Sequence, residues 1–218
     1  MSALVEAEGL SIRYGQVPVL NGVDLVLHPG DEVALVGRSG SGKTTLLLAL
    51  AGLLPAEGAV RWPGLPTAAD ARRASIGVVF QAPSLIAELT ARENVALPLR
   101  LRGGARGPAY RAAEDALVDL ALGDAIDALP AELSGGQQQR VAVARVLAGD
   151  PQLVLADEPT GALDPETATM VIRVLRARLH RAGGALLLAT HDEDLASLLP
   201  QRRELSDGSI RQAAGVAR

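Results

Sequence analysis

The chain has 218 residues, a formal net charge of -4 and no cysteine. The negative charge and the scattered arginines argue against nucleic acid as a general partner, and a chain without cysteine has no disulfide, thiol nucleophile or thiolate metal site. Apolar residues make up 48% and charged residues 21% of the sequence, the balance of a folded globular protein with one substantial core or one domain carrying an inserted subdomain.

The N-terminal part is predicted to form β-strands. Residues 4–15 and 23–30 alternate short apolar and polar stretches between Gly, Asn and Pro, a pattern typical of a half-buried sheet. Tyr14, near the end of the first stretch, has two open interpretations: packing within the sheet, or stacking on a purine base. The N-terminus carries acids where a secretory signal would be basic, so no export is expected.

A third strand, residues 31–37, leads into glycines and then into an apolar helix that Gly52 can end at its C′ position. The helix region contains the longest apolar run, residues 46–55, which is far shorter than the roughly 20 residues of a membrane helix. The sequence therefore predicts a strand, a loop and a helix, with no bilayer crossing.

The loop in this unit, GRSGSGKT at residues 37–44, matches the phosphate-binding pattern G-x-x-x-x-G-K-[ST]. Its glycines allow successive backbone N–H groups and the helix N-terminus to face phosphate oxygens. Lys43 is the single lysine among 21 basic residues, and its compact ammonium suits the β- and γ-phosphates, while Thr44 offers a hydroxyl to Mg²⁺. The candidate nucleotide-binding residues here are Gly37, Arg38, Ser39, Gly40, Ser41, Gly42, Lys43, Thr44 and Thr45, with only backbone contacts expected of Arg38 and Ser39.

Three further apolar stretches, residues 75–80, 153–156 and 185–190, predict buried strands of a mostly parallel sheet. Polar residues follow each strand: Gln81, then Asp157 and Glu158, then His191. Because parallel strands present their carboxyl ends at one edge, these side chains should meet beside the triphosphate. Asp157 would hold Mg²⁺, Glu158 would deprotonate the attacking water, Gln81 could bridge Mg²⁺ or water, and His191 could contact the γ-phosphate.

Residues between these strands, 82–149, are Ala- and Leu-rich and predict an inserted helical subdomain, broken at Arg102–Pro108. Within it, LSGGQ places Ser134 as an N-cap, with Gln137 completing a capping box. Gly135 and Gly136 disfavour a helix but leave bare N–H groups, so this helix start is a second anion-binding candidate. A later helix is predicted to begin after Asp164 as N-cap.

Taken in order, GRSGSGKT, VFQ, LSGGQ, LVLADEP, GALD and ATHD resemble the nucleotide-binding subunit of ABC transporters, from Tyr14 to His191. The resemblance implies an α/β P-loop NTPase with a mostly parallel core sheet, an N-terminal antiparallel β region and an inserted α-helical subdomain. It implies one ATPase domain over residues 1–218, with the core at 1–81 and 150–218 and the LSGGQ subdomain at 82–149. Residues 193–212 depart from the family's usual stretch.

The resemblance also implies a site shared between two subunits. ATP would lie between the phosphate loop of one subunit and the LSGGQ of the other, with Ser134, Gly135, Gly136 and Gln137 serving the neighbour's nucleotide and Asp164 across the interface. Tyr14 would be the adenine platform. Gln81 would couple the site to a membrane partner, Glu158 would be the general base, and Lys43 and His191 would complete the catalytic set.

The expected function is that of an ATP-binding, Mg²⁺-dependent ATPase energising a membrane transporter. Its partners would be a second copy and a separately encoded permease, and it would be peripheral at the cytoplasmic face of the membrane. Residues 93–103 with GALD and THD resemble lipoprotein-releasing and macrolide-exporter ATPases, which favours export or lipid handling. The alternatives are a soluble relative that acts without a permease and a protein that binds ATP without hydrolysing it.

Overall fold

The computed structural model describes residues 2–212, which form two β-sheets and seven α-helices. The strands are β1 (Val5–Tyr14), β2 (Val17–Leu27), β3 (Glu32–Val36), β4 (Glu57–Arg61), β5 (Ile76–Val79), β6 (Leu153–Asp157), β7 (Ala185–Thr190), β8 (Gln201–Ser206) and β9 (Ser209–Gln212). The helices are α1 (Lys43–Leu50), α2 (Ala69–Ser75), α3 (Ala91–Leu101), α4 (Arg106–Asp119), α5 (Gly135–Leu147), α6 (Pro165–Ala182) and α7 (Glu193–Ser197). Residues 1 and 213–218 of the predicted domain lie outside the described residues.

The core sheet has six strands in the order β5-β6-β7-β3-β8-β9. Every pair from β5 to β8 is parallel, and only β9 runs antiparallel to its neighbour β8. Strands β6 and β7 are buried along their whole length, which explains their continuous apolar sequences. The carboxyl ends of the parallel strands lie at one edge, and the loops that follow them form the candidate site.

The N-terminal sheet has three strands in the order β2-β1-β4, all antiparallel. Strand β2 starts at Val17, six residues before the predicted start at Val23. Asn21 and Gly22 interrupt the apolar alternation there, and Gly22 has a φ of 64°. The β1–β2 ladder continues through this interruption with register shifts. The two strands therefore stay paired across residues whose sequence does not alternate.

The core sheet separates two apolar clusters because successive side chains of a strand point to opposite faces. On one face, Leu35 of β3 packs with Leu46 and Leu50 of α1 and with the N-terminal sheet. On the other face, Val36 packs in the cluster that includes residues of α3 to α6, among them the fully buried Val143 of α5. This arrangement fixes α1 below the phosphate loop and α5 on the opposite face of the sheet.

Three helices, α3 to α5, lie between residues 91 and 147, within the range predicted for the helical subdomain. The boundaries of that subdomain stay a prediction. The predicted break at Arg102–Pro108 is too long, because α4 begins at Arg106. Pro108 lies in the first turn of α4, where its missing N–H removes no intrahelical bond. Within the described residues, no helix has the length and apolarity that crossing a membrane requires.

Candidate functional site

A cavity of about 510 Å³ opens at the carboxyl edge of the core sheet. Its walls come from β1 and β2, the loop before α1, and the loops after β5, β6 and β7. The lining residues are Tyr14, Val19, Ser39, Gly40, Gly42, Lys43, Thr44, Thr45, Gln81, Asp157, Glu158 and His191. All but Val19 were predicted from the sequence as site residues.

The loop between β3 and α1 has the geometry of a phosphate cradle. Gly42 is the N-cap of α1 with a φ of 102°, and Gly40 has a φ of 78°, a backbone region that side chains rarely adopt. Lys43 is only 7% exposed, and its Nζ donates to the carbonyls of Gly37 at 2.8 Å and Arg38 at 3.2 Å. The ammonium and the free N–H groups of the helix start therefore face the same cavity.

The remaining loop residues support the cradle from outside the cavity. A Cβ at Gly37 would lie 2.5 Å from the carbonyl oxygen of Leu205, so this glycine permits close packing on β8. The Ser41 hydroxyl is buried and has no partner among the described residues. Arg38 and Ser41 line a neighbouring cleft rather than the cavity.

Thr44 and Asp157 form the centre of a candidate cation site. The Thr44 hydroxyl donates to Oδ2 of Asp157 at 2.6 Å, and Asp157 is 6% exposed at the end of β6. Burial raises the pKa of the Asp157 carboxyl, and the neighbouring charge of Glu158 raises it further, while the Thr44 hydrogen bond and the Lys43 charge lower it. Gln81, in the loop after β5, lines the same cavity and carries an amide oxygen in its side chain.

These oxygen donors are the type that Mg²⁺ prefers. Among residues 2–212 no group of three or more His, Cys, Asp or Glu side chains could hold a metal by itself. A cation at Thr44 and Asp157 would therefore complete its shell with water and phosphate, as Mg²⁺ commonly does in phosphoryl-transfer sites.

Glu158 is held in an unusual backbone conformation directly after Asp157. Its φ is 45°, in the left-handed region, and strain of this kind is common at functional sites. Its Oε1 accepts from the backbone N–H of His191 at 3.0 Å and lies 2.7 Å from the ring Nδ1, while Oε2 accepts from the Thr190 hydroxyl at 3.3 Å. The Glu158 side chain is 13% exposed and that of His191 is 73% exposed. The loop after β7 thus orients the carboxylate within the cavity.

Tyr14 lies at the end of β1 and is 55% exposed on the cavity wall. This exposure excludes packing in the core, whereas packing against the neighbouring strand β2 and stacking on a base both stay open. Val19 was missed because no sequence pattern distinguishes it. Its Cγ1 would be 3.1 Å from a Cβ at Gly42, so Val19 covers the start of α1.

The second predicted set of residues lies away from this cavity. Ser134 caps α5 in a capping box: its Oγ accepts from Gln137 N–H at 3.2 Å, and its N–H donates to Gln137 Oε1 at 2.8 Å. Asp164 caps α6 by accepting from Thr167 N–H at 2.9 Å. Both predicted caps are confirmed, whereas their roles toward a neighbouring subunit stay predictions.

The two glycines at the start of α5 have different surroundings. No other part of residues 2–212 lies within 4 Å of a Cβ built at Gly135. A Cβ at Gly136 would lie 3.1 Å from Leu163 Cδ2 and 3.3 Å from the carbonyl oxygen of Ala162. Packing within the chain therefore explains part of the need for glycine at 136 and none of it at 135.

Comparison with known proteins adds three findings. The sequence profile of a family described as ABC transporter matches residues 20–161. The lipoprotein-releasing system ATP-binding protein LolD 2 of Caulobacter vibrioides is 44% identical over 205 residues, a match that covers 90% of this chain and 90% of the relative. The macrolide export ATP-binding/permease protein MacB of Marinobacter nauticus is 41% identical over 225 residues; that match covers 98% of this chain but 35% of the relative, so the chain spans about a third of its length.

Among solved structures, an ATP-binding cassette in a dimeric post-hydrolysis state with ADP and Pi is 34% identical, with a TM-score of 0.86. The match covers 97% of this chain and 99% of that chain. A bacterial ABC transporter cassette, also solved as a dimer, matches with the same TM-score of 0.86. The predicted fold class, a P-loop NTPase with a mostly parallel core sheet and an antiparallel N-terminal sheet, is confirmed.

Proposed function

The chain belongs to the ABC transporter family, and on that premise we propose that it binds and hydrolyses ATP to energise a membrane transporter. One observation carries the proposal: the phosphate loop, the acid pair and the loops bearing Gln81 and His191 converge on a single cavity. Hydrolysis of a nucleoside triphosphate needs a group of donors that binds the phosphates, a cation site and a group that activates water. Residues suited to all three are present there.

Binding uses the loop before α1. The N–H groups at the start of α1 and the Lys43 ammonium bind the β- and γ-phosphates, and the exposed ring of Tyr14 stacks on the base. Thr44, Asp157 and Gln81 would hold Mg²⁺. Held there, Mg²⁺ would supply positive charge that stabilises the phosphoryl oxygens while the γ-phosphoryl group passes from ADP to water.

Hydrolysis uses the loops after β6 and β7. Glu158 accepts a proton from the attacking water as general base, and its two contacts to His191 fix the direction of the carboxylate. The exposed imidazole of His191 contacts the γ-phosphate. Catalysis in this class of reaction is largely positioning and electrostatic stabilisation, so the fixed orientation is the main contribution of these two residues.

The partners follow from the relatives. We assign the chain to a lipoprotein-releasing or macrolide-export type of system, because relatives with these names are 41% and 44% identical to it. It would act as a dimer with a separately encoded permease, peripheral at the cytoplasmic face of the membrane. Affinity purification from detergent-solubilised membranes tests this assignment: a co-purifying protein with membrane-spanning helices that raises the ATPase rate supports it, and full activity with no membrane association contradicts it.

The Glu158→Gln variant tests the ATPase assignment. Phosphate release should fall by about 100-fold or more, in line with loss of a general base, while ATP binding persists because the phosphate cradle is intact. Glu57→Gln, which alters an exposed carboxylate on the edge strand β4, is the matched control and should hydrolyse ATP at the wild-type rate. Near wild-type phosphate release by Glu158→Gln would show that another group is the base.

A further inference from the structure

Residues 80–90, here called the Gln81 loop, connect β5 to α3 and place Gln81 on the cavity wall. Inside this loop the described structure shows one backbone hydrogen bond, from Leu89 N–H to the carbonyl of Ile86 at 3.2 Å. A loop of this length with so little internal bonding needs other groups to hold it. The groups that do so are side chains of α3 and α5.

Arg145 of α5 holds the middle of the loop. Its Nη1 donates to the carbonyl of Ser84 at 3.0 Å and its Nη2 to the carbonyl of Pro83 at 2.9 Å. No carboxylate within the described part of the chain forms an ion pair with Arg145. Burial lowers the pKa of the guanidinium, which nevertheless stays charged because arginine keeps its proton in proteins. Burying this charge costs hydration, and the two hydrogen bonds to the loop carbonyls are what offsets that cost.

Asn94 of α3 holds the end of the loop. It is fully buried, and its Nδ2 donates to the carbonyls of Leu89 at 2.8 Å, Ile86 at 3.1 Å and Thr90 at 3.1 Å. Its Oδ1 accepts from Ile86 N–H at 2.8 Å. Residues 83–90 are therefore held at two places: the first residues are bonded to α5, and the last residues are bonded to α3.

The start of the loop is bound far less tightly. The carbonyl of Phe80 accepts only a long bond of 3.4 Å from Gln139 Nε2 of α5, and Gln139 Oε1 is buried without a partner among the described residues. Gln81 lies between this weak contact and the firm anchor at Pro83. Two residues span at most about 7 Å of extended chain, so the anchor limits where the Gln81 backbone can go.

We propose that Arg145 is the positioning residue for Gln81. It fastens the Gln81 loop to α5, so that the position of Gln81 in the cavity depends on the position of α5. Arg145 is not among the residues that line the cavity, and it acts through the loop backbone. The activity consequence rests on the proposed function, whereas the structural consequence does not. The two are tested separately.

The structural test uses the absence of cysteine from the chain. A spin label on Ala82→Cys, an exposed position beside Gln81, reports the mobility of the loop. Arg145→Met should make the label markedly more mobile, and Arg145→Lys, which keeps the charge but loses the two-pronged geometry, should give an intermediate spectrum. The matched control is Arg140→Met on the same helix, because Arg140 donates to the carbonyls of Leu120 at 2.9 Å and Ala121 at 3.0 Å, outside the loop. Label mobility that is unchanged in both Arg145 variants, or raised equally by Arg140→Met, overturns the proposal.

The activity test is a double-mutant cycle. Arg145→Met should lower kcat for ATP hydrolysis by about tenfold to a hundredfold, the scale of a misplaced catalytic contact, with little change in ATP affinity. In a Gln81→Ala background the same change should have almost no further effect, because both act through one group. An equal additional loss there overturns the proposal, and Arg145→Lys carries the cycle where Arg145→Met does not fold. Were the wild-type protein inactive while the label results held, the proposed function would fail and the positioning role would stand.

Discussion

The carboxylate of Asp157 suits a cation site but is unfavourable for folding. It is 6% exposed, and burial raises the pKa of its carboxyl because the charged form loses hydration. The Thr44 hydroxyl and the Lys43 ammonium offset this penalty only in part. Without a bound cation, the ionised carboxylate therefore destabilises the fold. Its expected role is functional, namely to bind the cation.

We predict that Asp157→Asn stabilises the nucleotide-free protein at neutral pH and abolishes Mg²⁺-dependent ATP hydrolysis. The neutral amide can still accept from Thr44 but removes the buried charge. Because the folded-state pKa is raised, the folded protein binds more protons than the unfolded chain, and the penalty grows as pH rises through the ordinary carboxyl range. The gain should therefore be largest at neutral pH and vanish in acid.

Urea denaturation at neutral and acidic pH measures this difference. The control is Asp115→Asn, which alters an exposed carboxylate of α4 and should change neither stability nor its pH dependence. A loss of stability in Asp157→Asn at neutral pH would show that the charge is compensated in the folded state.

The sequence predicts a site residue well when its chemistry is tied to a fixed spacing. Lys43 and Thr44, at the start of the helix after the glycine loop, and Asp157, at the end of a buried strand, are of this kind. Tyr14 is not, because a tyrosine at a strand end can pack inward or face a cavity, and its place on the cavity wall is known only from the structure. Val19 gives no signal at all, because its place follows from the register of β2 rather than from its own chemistry.

Helices and strands were predictable where apolar periodicity is strong and less so where pairing alone defines them. Strand β7 matches its predicted range, residues 185–190. Its apolar run is buried at every position, and a continuous run of this kind is typical of a strand inside a parallel sheet. Strand β8 carries Arg202, Arg203 and Glu204, yet it pairs with β3 along the core sheet. Arg202 pairs with Glu193 of α7, so charge neutralisation replaces apolar burial there. Such a strand has no apolar signature in the sequence.

The contact between α5 and β5 is close enough that a single added methyl group should disturb it. A Cβ at Gly77 of β5 would lie 2.3 Å from Val146 Cγ1 and 3.2 Å from the Pro151 ring, so the helix packs directly on the strand backbone. We predict that Gly77→Ala destabilises the protein by about 1–3 kcal/mol, the usual cost of overpacking. Denaturant unfolding measures it.

Two controls separate crowding from other effects of alanine. Gly123→Ala places its Cβ at an ordinary 3.7 Å from Val118 and should be neutral. Adding Val146→Ala to Gly77→Ala removes the clashing methyl group and should recover part of the lost stability. Full stability of Gly77→Ala alone would mean that α5 can shift without penalty.

At the scale of the whole molecule, the candidate nucleotide residues form two separate groups. The cavity gathers residues from both sheets and their loops, whereas Ser134 and Gly135 at the start of α5 are not among its lining residues. An open site and a separate candidate anion site at a helix start in one chain fit two copies that complete each other's sites. Two similar cassettes were solved as dimers.

Gly135 offers the sharpest test of that arrangement, because nothing lies within 4 Å of a Cβ there. Gly135→Asp should therefore fold normally, and its carboxylate suits the positive end of α5. Facing the γ-phosphate held by a second copy, the same charge should prevent ATP-dependent dimerisation of the slowly hydrolysing Glu158→Gln protein, as measured by light scattering. Gly107→Asp, in the first turn of α4, is the charge-matched control and should dimerise like its parent. At Gly136 an aspartate would also crowd Leu163, so a lost dimer there would not separate repulsion from misfolding. If Gly135→Asp dimerises with ATP as readily as Gly107→Asp, the start of α5 does not face the partner's nucleotide, and the two groups of residues belong to different functions.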